Sequence, residues 1–251
     1  MLPYNPNFLD NTEIFSRDEI DLLEELNAKL PLDEFLQNRD LVETLGFEFV
    51  YTSAKIEGNA YTRADATTLL KRGITSSASF SDATMLLNLN RAFEHILSSD
   101  HTISRDAIIS IHQILASDLL KKESVGAARK HRVTITGSHY EPLADSTLLT
   151  SELERVISTS KTIANPYDQA LYLHNNLAYL HYFADANKRT ARAVLNLSLK
   201  SSGKMLLIPS NEDIPLYISG VLEYYEKGNY AGSKEFLIKS YERVARHFNK
   251  I

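Results

Sequence analysis

The sequence predicts a mainly α-helical fold, on three observations. Apolar residues recur at three- and four-residue spacing along most of the chain, the periodicity of one face of a helix. Residues that interrupt helices are few, with 9 glycines and 7 prolines among 251 residues. Only one segment, from Val133 to Gly137, strings β-forming residues together ahead of a turn.

The elements follow in order. The first forty or so residues, with the stretch LLEELNAKLPL, predict an amphipathic helix that covers the core. From Leu41 to Glu57, the residues Leu41, Val42, Leu45, Phe49 and Ile56 fall near one helical face, and Gly58 supplies a left-handed stop. Thr62 with Asp65 caps the next helix, which stops at Gly73. Helices are predicted from about Phe80 to Leu97 and from about Ser104 to Leu120. Val133, Thr134, Ile135 and Thr136, ending in Gly137 and Ser138, predict a short hairpin. Asp145 to Ser160 and Pro166 to Leu180 return to helical spacing, and a helix from Thr190 to Lys200 closes near Gly203. Pro209, Pro215 and the apolar Leu216, Val221 and Leu222 open terminal helices that run to about Phe248. There is no internal repeat, low-complexity tract or linker.

Composition narrows the function. The 27 basic and 32 acidic residues are evenly scattered and leave a net charge of −5, so the chain has no basic field for nucleic acid and any phosphate specificity is local. The absence of cysteine excludes a disulfide scaffold, a thiolate zinc site and a cysteine nucleophile together. The 8 histidines show no paired spacing of the zinc-hydrolase kind. The start lacks a basic flank followed by an apolar run, and no stretch approaches the roughly 18 apolar residues of a membrane span. The expectation is a cytoplasmic protein with no membrane partner.

The most informative stretch runs from His181 to Arg192, HYFADANKRTAR, between two helical segments. Small Ala186 and turn-tolerant Asn187, just ahead of a helix, can aim backbone N–H groups into a nest where the positive helix terminus also favours an anion. Arg189 and Arg192 project from one face of that helix's first turn, and two guanidinium groups imply a polyphosphate. Asp185 is a lone carboxylate beside the expected phosphates, the usual way to hold Mg²⁺ with water and substrate completing the shell. His181 ends the preceding helix, where it can take the proton of an attacking hydroxyl. Phe183, apolar in a polar loop, is expected to plug into the core. Singly, a helix-end histidine or an arginine pair is an ordinary surface feature; base, carboxylate, nest and two cations within one short segment are parts of one phosphoryl-type reaction.

These residues resemble the signature of the Fic family, His-x-Phe-x-(Asp/Glu)-(Gly/Ala)-Asn-(Gly/Lys)-Arg with a second arginine three positions on, and every defining position is met. The resemblance extends over roughly Ile103 to Phe236. His112, Gly126, Arg129 and the run Ala170, His174, Ala178 look like the family's accessory positions. It implies a Fic-type helical bundle with a hairpin flap, the core spanning residues 101–251 behind an N-terminal helical region at 1–100. The implied activity is transfer of AMP from ATP to a serine, threonine or tyrosine hydroxyl of a target protein. His181 is then the general base and Asp185 the Mg²⁺ ligand. Ala186, Asn187 and Lys188 form the anion nest, with Asn187 also reaching the α-phosphate, and Arg189 and Arg192 hold the β- and γ-phosphates. The flap from Val133 through Thr134, Ile135 and Thr136 to Gly137 registers the target segment by strand addition, and Leu222 is the residue suggested for the adenine pocket. Homodimers are common among similar proteins.

Two departures stand out. Tyr182 replaces a frequent proline. Lys188 replaces the glycine common in AMP-transferring members and gives the ANKR string of the Doc branch, whose members act as kinases but commonly lack the second arginine, present here as Arg192. AMP transfer is therefore preferred over a Doc-like γ-phosphate transfer, and over a non-catalytic module that only binds nucleotide.

Glu57 is placed oddly, at the C-terminal end of its predicted helix, where exposed carbonyls repel a carboxylate. It needs a cation partner. Ser53 to Gly58 resembles the inhibitory (Ser/Thr)-x-x-x-Glu-(Gly/Asn) motif of the same family, in the class whose inhibitory helix lies upstream. The implication is a salt bridge from Glu57 to Arg192 that occupies the cation meant for the γ-phosphate; in some members the same glutamate serves AMP removal.

Overall fold

The computed structural model describes residues 1–76, 79–100 and 102–248; the expected domain boundary at 101 and the last residues, 249–251, lie outside them. The fold is mainly α, as the apolar spacing predicts. Its centre is an antiparallel pair, α8 (Pro166–Leu180) and α9 (Asn187–Ser201), joined by the loop that carries the signature. Asn165 caps α8 by accepting from the N–H groups of Tyr167 and Asp168, and Pro166 fills the first turn where no N–H is needed. α8 is buried nearly all round, which is why its amphipathic signal is weak and its polar residues are paired inside the core. Asn176 donates to the Tyr172 carbonyl and meets Tyr224 and Tyr230, while Asn196 of α9 bridges both backbone groups of Leu207. Each fully buried leucine or tyrosine here contributes about 1.5–3 kcal/mol through apolar burial.

Around this pair pack α5 (Phe80–Ser98), α6 (Arg105–Ala116), α7 (Ser146–Ser160), α10 (Ile214–Lys227) and α11 (Ala231–Phe248). Upstream, α3 (Arg39–Ile56) lies against α5 and α10, so its C-terminal end comes to α9. α1 (Arg17–Ala28) packs on α11, α2 (Leu32–Gln37) on α3, and α4 (Arg63–Arg72) on α5. Thr62 accepts from the Asp65 N–H and Gly73 closes α4 with φ of 69°, both as the sequence predicts.

Two boundaries and one element differ from expectation. α6 ends at Ala116 rather than near Leu120, because Asn88 takes the carbonyl of Ser117 at 2.7 Å and Asp118 turns left-handed. α9 starts at Asn187 rather than Thr190, which brings the signature's basic residues inside the helix. The hairpin expected at Val133 to Gly137 has no strand ladder. Residues 131–139 form a loop that turns at Thr136 and Gly137, with the Ser138 N–H donating to the Ile135 carbonyl. The His139 N–H donates to Glu226, and its carbonyl accepts from Leu2. The sheet seen among the described residues is instead β1 (Leu2–Pro3) running parallel to β2 (Tyr140–Glu141) at the foot of this loop.

Candidate active site

The signature loop is held from both sides. Phe183 is buried and stacks on His112 with ring centroids 3.6 Å apart. His112 Nδ1 accepts from the Gly126 N–H at 3.0 Å, so the proton sits on Nε2, which donates to the Asp185 carbonyl at 3.2 Å. Burial pushes this imidazole down to about 4, which keeps it neutral and able to play both roles. Arg129, buried without a carboxylate, gives its guanidinium to three carbonyls, those of His181, His131 and Leu143, and its own N–H to Tyr182. It ties the foot of the flap to the loop.

His181 ends α8 in the left-handed region, at φ 47° and ψ 50°. Its Nδ1 donates to the Ala178 carbonyl at 2.7 Å, which leaves Nε2 as the proton acceptor toward the cavity it lines. Burial foremost, with the charges of Lys188 and Arg129 adding to it, pushes this histidine down to about 4. The imidazole is neutral at pH 7 and so in the state a base requires.

Ala186 is the N-cap of α9 with φ of 61°, and no side chain caps that terminus. An uncapped, positive helix start is what an anion would use. Asn187 braces the loop: its amide accepts from the Phe183 N–H and donates to the Phe183 carbonyl, each at 2.9 Å. That engagement leaves one side-chain N–H for any phosphate contact. Arg189 is buried; its Nη2 meets Asp185 Oδ2 at 3.0 Å, while its Nε and Nη1 have no hydrogen-bond partner. Asp185 is the most exposed of the group, at 60%. No cluster of three or more metal-ligating side chains occurs among the described residues. A single exposed carboxylate suits Mg²⁺ only when phosphate oxygens and water complete the shell.

Glu57 reaches this site from α3. The helix closes in a Schellman turn, with Asn59 N–H on the Ala54 carbonyl, Gly58 N–H on Lys55, and Gly58 at φ 82°. The turn sets Glu57 beside the cations: Oε1 is 2.9 Å from Arg192 Nη2 and Oε2 is 3.6 Å from Lys188 Nζ. Burial alone would raise the carboxyl, yet the Arg192, Lys188 and Arg189 charges hold it below the usual glutamate range. Ser53 contributes differently from what its motif position suggests. Its carbonyl accepts from Arg192 Nη2 at 3.1 Å, and its hydroxyl is buried with no partner.

A cavity of about 390 Å³ joins part of this set, and the buried Arg189 and Arg192 are not among the residues that line it. It is bounded by Glu57, His181, Asp185 and Lys188, by Thr134, Ile135 and Thr136 of the flap, and by Tyr217, Leu222 and Tyr225 of α10. Of the remaining flap residues, Val133 is half-buried and Gly137 takes the turn at φ 82°. Sequence reasoning missed Tyr217, whose hydroxyl accepts from Arg192 Nη1 at 2.8 Å. The stripe Tyr217, Val221, Tyr225 at helical spacing was readable, but not the element it would face.

Residues 102–199 match the model of the Fic/DOC family. The protein adenylyltransferase Fic of Drosophila persimilis is 28% identical over 178 residues, covering 68% of this chain and 35% of the relative. The protein of the same description from Nematostella vectensis is 25% identical over 228 residues, covering 88% of this chain and 52% of its own. Among solved structures, Fic-1 from C. elegans superposes with a TM-score of 0.75 at 23% identity, covering 93% of this chain and 70% of that one. This chain thus spans about a third to a half of the length of these curated relatives.

Proposed function

We propose, for a chain that carries a Fic/DOC-family domain over residues 102–199, that it transfers AMP from ATP to a serine, threonine or tyrosine hydroxyl of a protein target and that Glu57 restrains it. The observation that carries the reading is Arg189: two buried guanidinium nitrogens without partners, beside an uncapped helix start and a neutral His181. A triphosphate satisfies all of these at once. Buried guanidinium N–H groups left without an acceptor are costly, and phosphate oxygens match their fork.

In the reaction, the target hydroxyl gives its proton to His181 Nε2 as its oxygen bonds to the α-phosphorus, and the bond from that phosphorus to the pyrophosphate oxygen breaks. Arg189 and Arg192 hold the departing charge, and the α9 N–H groups hold the oxygens that remain on AMP. Negative charge from bound nucleotide raises His181 from its low resting value toward that of a useful base. Asp185, with phosphate oxygens and water, would hold Mg²⁺, which supplies charge neutralisation between the phosphates. Glu57 opposes productive binding by occupying Arg192 and Lys188. A charge-assisted hydrogen bond nets about 1.5–3 kcal/mol, so the restraint suppresses transfer by about one to two orders of magnitude.

The deciding test is incubation of the Glu57→Gly chain and a protein acceptor with ATP labelled at the α- or at the γ-phosphate. Label from the α-position on protein supports AMP transfer. Label from the γ-position alone assigns Doc-like kinase chemistry, and binding without either label assigns a nucleotide-binding module.

A further inference from the structure

Arg192, buried behind the cavity-lining Glu57, heads a directed chain of hydrogen bonds that runs into the core. Its Nη1 donates to Tyr217 Oη at 2.8 Å, and its guanidinium carbon lies 5.1 Å from the centre of the same ring. Tyr217 Oη is 3.2 Å from His174 Nε2, His174 Nδ1 is 2.7 Å from Asn175 Oδ1, and Asn175 Nδ2 donates to Ser233 Oγ at 2.9 Å. All five residues are buried. One arrangement of protons satisfies every link. A guanidinium only donates, so Tyr217 accepts from it and keeps its own hydrogen to give. The Asn175 carbonyl only accepts, so the His174 proton sits on Nδ1 and Nε2 receives the hydrogen of Tyr217. Burial pushes His174 down to about 4 and holds it in that neutral form. Every donor points the same way, so each bond polarises the next.

We propose that Tyr217 and His174 are positioning residues for nucleotide: the phenol oxygen, oriented by His174, anchors Arg192 Nη1 and thereby aims Nη2 and Nε at the γ-phosphate. This rests on the reading of the site as an ATP-using one. Nη2 is the nitrogen that Glu57 engages, and Nε is buried with no partner, so the nitrogens left by the anchor are the two a phosphate can fork. Without Oη the guanidinium keeps the ring beneath it and the Ser53 carbonyl on Nη2 but loses its anchor at Nη1. ADP has no γ-phosphate and does not draw on Arg192, which gives the idea a specific readout.

The experiment titrates ATP and ADP, each with Mg²⁺, into the 251-residue Glu57→Gly chain and into the same chain carrying Tyr217→Phe, His174→Leu, His174→Gln, or Tyr217→Phe with His174→Leu. Tyr217→Phe and His174→Leu each weaken ATP about tenfold, the equivalent of one hydrogen bond to a charged group, and leave ADP within about twofold. His174→Gln, whose carbonyl can receive the phenol hydrogen, restores ATP affinity, and the double variant is no worse than either single one. Unchanged ATP binding, equal losses for ATP and ADP, or additive losses in the double variant each overturn the proposal. Should His174→Leu fail to fold, Tyr217→Phe compared with His174→Gln decides on the same criteria. Absence of α-label transfer in the Glu57→Gly parent sinks the adenylyl-transfer reading but leaves these titrations interpretable.

Discussion

On the proposed reading, the Glu57 carboxylate, the Arg192 and Lys188 cations it meets and the His181 imidazole decide the chemistry at the level of single residues. Glu57→Gly is expected to raise AMP transfer about 10–100-fold over the parent, and His181→Ala to abolish it in both backgrounds; equal rates for parent and Glu57→Gly in a label-transfer assay remove the restraint. Ser53 sharpens the point. Because Arg192 uses the Ser53 carbonyl and its hydroxyl has no partner, Ser53→Ala keeps transfer as low as in the parent; release by Ser53→Ala in that assay contradicts the assignment. His181 sets the pH response. Held near 4 in the free protein, it stays unprotonated well below the 6.5 of an ordinary histidine, so kcat/KM of the Glu57→Gly chain stays flat from pH 8 down to about 5.5. Protonation removes the base, so any acid limb is a loss of rate as pH falls; a limb centred at 6.5 or above disproves the assignment.

Helices decide how these residues meet, and here the sequence was unevenly legible. α4 and α8 were readable to their caps, because Thr62, Gly73 and Pro166 act through neighbours a few positions away. The signature loop was readable for the same reason, each functional group lying within one turn of the next. The flap was not, since its backbone partners, Glu226 and Leu2, are remote in sequence. Nor was Tyr217, which meets Arg192 through the packing of α10. That packing depends on glycine: a Cβ at Gly220 would stand 2.8 Å from the Gly232 carbonyl carbon and the Ser233 nitrogen on α11. Gly220→Ala is therefore expected to cost about 1–3 kcal/mol by overpacking, lowering Tm by roughly 2–10 °C. Since α10 walls the cavity, ATP affinity falls with it; calorimetry and nucleotide titration of that variant check both effects, and an unmoved Tm shows that α10 can shift freely.

Across the whole molecule, buried histidines couple the fold to pH. His112, His174 and His181 sit near 4 in the folded chain against 6.5 when exposed, so between these values the unfolded chain binds protons that the folded chain does not. Stability is complete above about pH 6.5 and declines steadily from there down to 4; urea unfolding at stepped pH reads the slope, and a plateau across that window refutes it. The first strand has a different reach. Leu2 is bonded to His139, Tyr4 stacks on Tyr179 at 5.1 Å, and the Asn5 N–H donates to the Tyr179 hydroxyl, so the start of the chain is laced to the foot of the flap. Whatever is attached ahead of Met1 therefore emerges beside the flap, the side on which the proposed reading docks the acceptor, and on that reading a purification handle or surface tether placed there would crowd the encounter itself.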